Sequence, residues 1–423
     1  MAEISPFRGI RFNDNRFPDL SPVIAPPYDV ISIDDDRRLR ERSESNAVRL
    51  ILNEPRSGHA ASNYSRIARL FNDWIEDETL LQDTAPAVYL LDQEFDQGGV
   101  RQTRRSVIVR LRIEPLGRGG VYAHEPSPPG AVADRLELLR ATRMNMDQVL
   151  GLYRDDGSVA EILAEMSELD PVAEGAGIDG VRNVVRAVYY QPLIQRLAAA
   201  LADKRLVIAD GRDRYEAAVL YRDAMRPRHR LPRLNERCEF VSMALAASND
   251  PGLVIGAMHR IVAGLKSFSP DALLAGAAAE FDVEEAALDA GAIVARLAQL
   301  ADRHAFGLLT QAGARILVKK SGRREADGAP ARLDPCILHQ EIFAGLLGLA
   351  DGAMPKGSSI QYNGSPADCA GRVTQGMAQL AVLLNPLRAE EIEAAALAGG
   401  TLPLRSANIV PRLPTGAVLN PVI

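Results

Sequence analysis

The stretch Leu206-Val-Ile-Ala-Asp210-Gly211-Arg212-Asp213-Arg214-Tyr215-Glu216-Ala-Ala carries the most chemistry per residue in this chain. A short apolar run ends at an Asp-Gly turn, two arginines follow at once, and a helix-forming segment continues to about Met225. At such a junction the first backbone N–H groups of the helix lack partners, and the helix dipole draws negative charge toward them. Gly211 lets a ligand come close to the backbone, and Arg214 offers a bidentate phosphate contact. A plainer reading fits the same residues: Asp210 caps the helix, Gly211 makes the turn, and the arginines are solvated.

Other groups are candidates in the same sense. Tyr28 and Asp29 follow Pro26 and Pro27, which fix the local backbone and present Asp29 rigidly, or simply make a turn. His124-Glu125 follows a predicted strand and offers acid/base or metal contacts; a loop histidine without a role is the alternative. His259-Arg260 follows an apolar stretch and is a candidate to join an anion site. Asp134-Arg135 reads as a helix-surface ion pair. Glu216 falls on the helix rather than the turn.

Several motifs fail on context. Gly175-Ala-Gly177-Ile-Asp-Gly180 matches G-x-G-x-x-G, but no apolar strand precedes it and a strand, not a helix, follows. There is no P-loop and no G-x-S-x-G elbow. Cys238, Cys336 and Cys369 are far apart and odd in number, so neither a disulfide framework nor a zinc site is expected, and no metal ligands are assigned.

The elements that must position these groups follow from periodicity. Residues 63–80 read as a helix, with Tyr64, Ile67, Ala68, Phe71, Trp74 and Ile75 on one face. Ala87–Phe95 and the alternating Val107, Val109, Leu111 and Ile113 read as a hairpin turning at Asp96–Gly99. Helices are expected at 134–141, 158–168 and 193–202, and strands at 184–190, 205–209 and 240–247. Residues 270–302 read as helical with a break at Phe281–Val283. Further helices are expected at Cys336–Leu349 and Val373–Leu384. Ser321–Arg332 is the best linker candidate. Mixed hairpins and helices predict an α+β fold.

The chain has 423 residues, 47% hydrophobic and 25% charged, with a formal net charge of −6. That is globular composition, long enough for two or three domains. The acidic balance argues against a nucleic-acid partner, and the one basic cluster, RPRHRLPRLNER at 226–237, is short. Five of the 49 cationic residues are lysine, a bias that fits a GC-rich coding sequence. No apolar run reaches the ~18 to 20 residues of a membrane span, and the start lacks a leader's apolar core. A cytoplasmic setting is expected, with no membrane partner.

Seven segments in order resemble the widespread family known as domain of unknown function 1015. They are SPFRGIRF, VIAPPYDVIS, SNAVRLILNEP, AHEPSPPGAVADRLELLRAT, VIADGRDRYEAAVLY, MHRIV and LPLRSANIVPRLPTGAV, between about residues 3 and 418. The family's DGHHRY-type segment is similar to the phosphate box of the ParB/sulfiredoxin-like superfamily, which includes partition proteins, sulfiredoxins and free-serine kinases. The resemblance implies a ParB/sulfiredoxin-like core over 1–265 and a helix-rich C-terminal region over 266–423. It implies a phosphate box at Asp210, Gly211, Arg212 and Arg214, joined by His259 and Arg260. It implies a kinase acting on a small hydroxylated metabolite such as serine, with ATP or ADP and Mg2+ as candidate cofactors. Asp29, Asp213 and Glu216 are the candidate catalytic acids; Tyr28, His124, Glu125 and Arg405 are further candidates. Two departures stand out. Arg212 and Asp213 replace the family's paired histidines, and Arg405-Ser406 stands where the family often has Lys-Ser-Thr. A carboxylate about 4 Å from a phosphate charge costs about 4 kcal/mol at an effective dielectric of 20. The same scaffold without catalysis, a nucleotide- or phosphometabolite-binding regulator, is the alternative.

Overall fold

A computed structural model describes residues 2–53, 60–226, 237–324, 330–349 and 359–423. The chain forms two compact units. The first comprises residues 1–123, 127–254 and 411–423, and the second 124–126 and 255–410. A boundary near 265 was expected; the units part at 254/255 instead, and the tail returns to the first unit. The linker candidate at 321–332 lies inside the second unit, with 325–329 outside the described residues. The basic cluster is likewise largely outside them, at 227–236.

In the first unit, helix α1 (Ala60–Glu76) buries Tyr64, Ile67, Phe71 and Trp74 as its stripe predicts, while Ile75 stays exposed. β1 (Val88–Gln97) and β2 (Val100–Arg112) form the hairpin. Its two-residue loop is Gly98-Gly99, both at positive φ, the conformation that suits the strands' right-handed twist. β3 (Val121–Ala123), α2 (Ala131–Thr142), β4 (Val149–Tyr153) and α3 (Ser158–Ser167) follow. Then come β5 (Ala173–Ala176), β6 (Arg182–Val188), α4 (Gln191–Leu201), β7 (Leu206–Asp210), α5 (Arg212–Met225) and β8 (Phe240–Ala247). The G-x-G-x-x-G stretch begins in β5, where Gly175 pairs with Asn183, and its remainder is the β5–β6 connection.

The sheet order is β3-β7-β4-β8-β2-β1-β6-β5, with Ile4–Ser5 added along β2. Only β3/β7 and β4/β8 pair in parallel; the remaining pairs are antiparallel, so the sheet is mixed. One face takes Val107, Val109 and Leu111 of β2 against apolar residues of α3, α4 and α5. Burial of these stripes, at roughly 25 cal/mol per Å2 of apolar surface, is the main force holding the helices on the sheet.

The second unit holds β9 (His259–Ala263), α6 (Pro270–Ala277), β10 (Phe281–Ala286), α7 (Ala290–Gln299), β11 (Ala305–Thr310) and β12 (Gly313–Lys319). β13 (Ser359–Asn363), α8 (Pro366–Thr374), β14 (Leu380–Leu384) and α9 (Ala389–Leu397) complete it. Its six-stranded sheet, β10-β12-β11-β14-β9-β13, is antiparallel throughout. Residues of α6 pack in one core and residues of α7 and α8 in another, on opposite faces. The β part of this expected helix-rich α+β region is a six-stranded sheet. The helix expected over Val373–Leu384 is instead the end of α8 and the strand β14. The break at Phe281–Val283 is the start of β10. Among the described residues no helix is long and apolar enough to cross a membrane.

Candidate functional site

β7 buries Leu206 and Ile208 in the core of the first unit and delivers Asp210 to its end, where the pairing with β4 shifts register. Gly211 follows at φ +82°, as the N-cap of α5, with no side-chain cap. Glycine is required here twice over. L-residues rarely adopt that φ, and a Cβ would stand 2.4 Å from Arg214 Nε. The guanidinium of Arg214 thus lies against the turn rather than reaching away from it.

Asp210 is the hub of the junction. Its carboxylate takes Arg214 Nη2 at 3.0 Å and Arg412 Nη1 at 3.3 Å. Burial opposes its ionisation, but the two arginines and the Gly211 amide outweigh that and hold its carboxyl below the ordinary range. Arg214 is 9% exposed. Burial disfavours its charge, yet Asp210, Asp213, Asp147 and Asp29 together push its pKa up.

Asp213 is buried and accepts a 2.6 Å hydrogen bond from the Tyr28 hydroxyl. Burial first, then the Asp213 charge, raises the Tyr28 pKa, so the phenol stays a donor. Arg135 stacks its guanidinium 3.9 Å over the Tyr28 ring and bonds Asp134 through Nε at 2.9 Å. The helix-surface reading of Arg135 is corrected: it is buried among side chains of the first unit. Arg212 Nε pairs with Glu216 Oε1 at 2.9 Å, and Ser127 Oγ donates to Glu216 Oε2 at 2.6 Å. A cavity of about 30 Å3 lies beside the turn, lined by Arg135, Arg214, Asp147 and Asn145 with apolar neighbours. That holds one or two waters.

The structure therefore gathers Tyr28, Asp29, Asp210, Gly211, Asp213 and Arg214 at one junction, with Arg212 opening α5 and Glu216 one turn further on. Three further members escape a reading of the sequence. Arg135 looks like an ordinary helix residue, Asp147 accepts from Thr415 in a loop without a motif, and Arg412 is two hundred positions from its partner. Arg412 lies in the family-like tail and Arg135 in the family-like segment 123–142, whereas Asp147 has no such signal.

The remaining candidates belong to the second unit. His259 and Arg260 sit on β9, both buried. His259 Nδ1 accepts from the Leu384 amide at 3.2 Å, and burial, aided by Arg260, lowers its pKa to about 4. It is neutral at pH 7. Arg260 donates to the Met258 carbonyl at 2.7 Å and stacks 4.6 Å from the Tyr362 ring. His124 is buried, 3.7 Å from Glu125. Glu125 Oε2 accepts from the Ser406 amide at 2.9 Å, beside Arg405 at φ +53°. His124 and Glu125 thus form a second cluster, tied through Glu125 to the Arg405-Ser406 turn. Among the described residues no group of three or more His, Cys, Asp or Glu is placed to hold a metal ion.

Residues 4–336 match the family described as protein of unknown function, DUF1015. The chain belongs to this family. DUF1015 thus covers the first unit's described sheet and part of the second unit. Solved structures similar to this chain include a conserved hypothetical protein from Pyrococcus furiosus, at 12% identity and TM-score 0.37, covering 73% of this chain and 92% of that one. A free serine kinase in complex with AMP is similar at 9% identity and TM-score 0.37, covering 72% and 87%. SbnI with a C-terminal truncation, from Staphylococcus aureus, is similar at 12% identity and TM-score 0.35, covering 73% and 85%. No curated protein matches the sequence significantly.

Proposed function

We propose that this DUF1015 protein is a nucleotide-dependent phosphotransferase acting on a small hydroxylated metabolite, with serine the first candidate. One observation carries the reading: two guanidinium groups, the buried Arg214 and the half-buried Arg412, share a single carboxylate at an uncapped glycine helix start. The amides of Arg212, Asp213 and Arg214 are the helix's orphan donors. A phosphate arriving there competes with Asp210 for Arg214, gaining the charge-assisted bonds that Asp210 gives up. Asp29 or Glu216 then accepts the substrate hydroxyl's proton.

Mg2+ characteristically takes one or two carboxylates and completes its shell with nucleotide phosphates and water. Asp29 and Asp213 are the carboxylates that would serve it; when bound, it would neutralise phosphate charge. ATP and ADP turnover over a panel of amino and hydroxy acids tests the proposal. Turnover above an Arg214→Ala control is expected; turnover no greater than that control overturns it.

A specific observation favours the second reading, a nucleotide- or phosphometabolite-binding regulator. The two residues replacing the family's histidines are both engaged, Arg212 with Glu216 and Asp213 with Tyr28. Nucleotide-induced thermal stabilisation without turnover supports it, by linkage. Restoring histidine at both positions, Arg212→His with Asp213→His, should then raise activity.

A further inference from the structure

The sheet of the first unit buries a guanidinium whose hydrogen bonds are largely unmade. Arg104 on β2 pairs across the sheet with Gln93 on β1, and Gln93 pairs with Asn183 on β6. Arg104 and Gln93 are wholly buried and Asn183 is 2% exposed, so a polar row runs through the interior of the fold. Arg104 Nη2 donates to the Gln93 side-chain oxygen. Arg104 Nε and Nη1, equally buried, make no hydrogen bond to any described residue. A buried donor in that state costs stability, and a charged one costs more. Such a group in a native fold calls for a physical reason.

The surroundings of Arg104 supply one. Gln93 Nε2 donates to the Asn183 side-chain oxygen and to the Arg412 carbonyl, both at 2.9 Å. Gln93 thus ties Arg104 to the residue whose own guanidinium stands 3.3 Å from Asp210. Burial lowers the Arg104 pKa to about 10; the Asp210 charge works against that, Arg412 works with it, and Asp250 works against it. The group is still a cation at pH 7. Asp210 and Asp250 act on it through space, and neither bonds to it. Asp210 is already engaged by Arg214, by Arg412 and by the Gly211 amide. Three guanidinium groups therefore lie within electrostatic reach of one carboxylate. Two hold it, and the third, Arg104, keeps two nitrogens unbonded.

We propose that Arg104 is a positioning residue, the reserve counter-ion of Asp210: when an incoming phosphate draws Arg214 away, Arg104 turns its unbonded N–H groups to Asp210 and keeps that carboxylate paired and in place. Asp210 then exchanges one arginine for another instead of losing half its compensation in a buried setting, where breaking an ion pair is expensive. The idea rests on the phosphotransferase reading for the ligand that attracts Arg214. The exchange itself can be provoked without any ligand, because Arg214→Ala removes the same guanidinium.

Urea unfolding and titration calorimetry with ADP, both on the full chain, test it. In the parent, Arg104→Met should leave the urea midpoint unchanged or raise it, since it removes a buried cation with unmade bonds. In the Arg214→Ala background, where Arg104 has already moved to Asp210, the same change should lower the midpoint. Arg104→Met should weaken ADP binding at least tenfold, and Arg104→Lys, which keeps the charge, less than threefold. Equal midpoint shifts in the two backgrounds would overturn the proposal. So would an Arg104→Met chain that fails to fold, the mark of a purely structural arginine, or one that binds ADP as the parent does. A parent that binds no ADP while the midpoints stay coupled would sink the phosphotransferase reading and leave the counter-ion exchange standing.

Discussion

Gly211 is where backbone conformation and side-chain packing make the same demand. An alanine there must hold φ near +82° and push the Arg214 guanidinium aside, because its Cβ would lie 2.4 Å from Nε. Gly211→Ala should cost roughly 1–3 kcal/mol and loosen the Asp210–Arg214 pair. A urea midpoint equal to that of the parent chain would refute this. Tyr28→Phe removes the donor to buried Asp213 and should cost about 1–3 kcal/mol, the desolvation left uncompensated; an unchanged midpoint would show that Asp213 finds another partner. His259 makes a pH prediction. Its folded pKa, about 4, lies below the ordinary 6.5, so the unfolded chain binds the extra proton between those values. The stability it contributes is complete above pH 6.5 and disappears as pH falls toward 4, about 3 kcal/mol in all. Protection factors at the β9 amides, the observed exchange rates corrected for intrinsic exchange at each pH, should fall as pH falls through that window. Exchange in His259→Asn that keeps the full pH dependence would assign the slope to other groups.

At the scale of elements, what the sequence reveals depends on how many faces of a strand are covered. β2 places Val107, Val109 and Leu111 on the helix-covered face, with Arg110 and Arg112 between and after the later ones. This partial alternation announces a strand even though Ile108 is buried on the other face. β14 is Leu-Ala-Val-Leu-Leu because both faces are buried, Leu380 and Val382 in one core and Ala381 and Leu383 in the other. Its alternation is erased, and the run joins α8 into one apparent helix. The junction at Gly211 was legible because strand, turn and helix are contiguous; Arg135 and Arg412 reach it only through tertiary packing. Close approaches between elements are equally invisible in the sequence, and two glycines separate the cases. A Cβ at Gly151 would meet the tips of Met243 and Leu245 at 2.7 and 2.9 Å, ends that can rotate away. A Cβ at Gly175 would meet the Ser21 amide nitrogen at 2.4 Å and the Leu20 carbonyl carbon at 2.7 Å, which cannot. Gly175→Ala should therefore cost about 1–3 kcal/mol more than Gly151→Ala. Equal denaturation midpoints for the two variants would refute the distinction.

At the scale of the molecule, the chain closes its first unit with its last residues. Leu419 exchanges backbone hydrogen bonds with Ile10 at 2.8 and 2.9 Å, and Thr415 with Ala25 at 2.8 and 3.1 Å. Asn420 Nδ2 donates to Asn145 at 2.8 Å, and the Gln148 side chain to the Val418 carbonyl at 2.5 Å. Val418, Leu419 and Val422 are no more than 2% exposed. At about 1.5–3 kcal/mol for each buried side chain, those three alone approach the 5–15 kcal/mol by which an ordinary domain is stable. The tail also brings Arg412 to Asp210, so the Asp210 hub of the candidate site is completed only when the segment carrying residue 412 has docked. Deleting residues 411–423 should leave β1, β2 and β8 unprotected against amide exchange while β11 and β14, whose partners all lie within 255–410, keep their protection. Mass-resolved hydrogen exchange on the shortened chain measures both at once. Loss spread evenly over the two sheets would mean that the units do not fold separately, and intact protection in β1 and β2 would mean that the tail only decorates a core already stable without it.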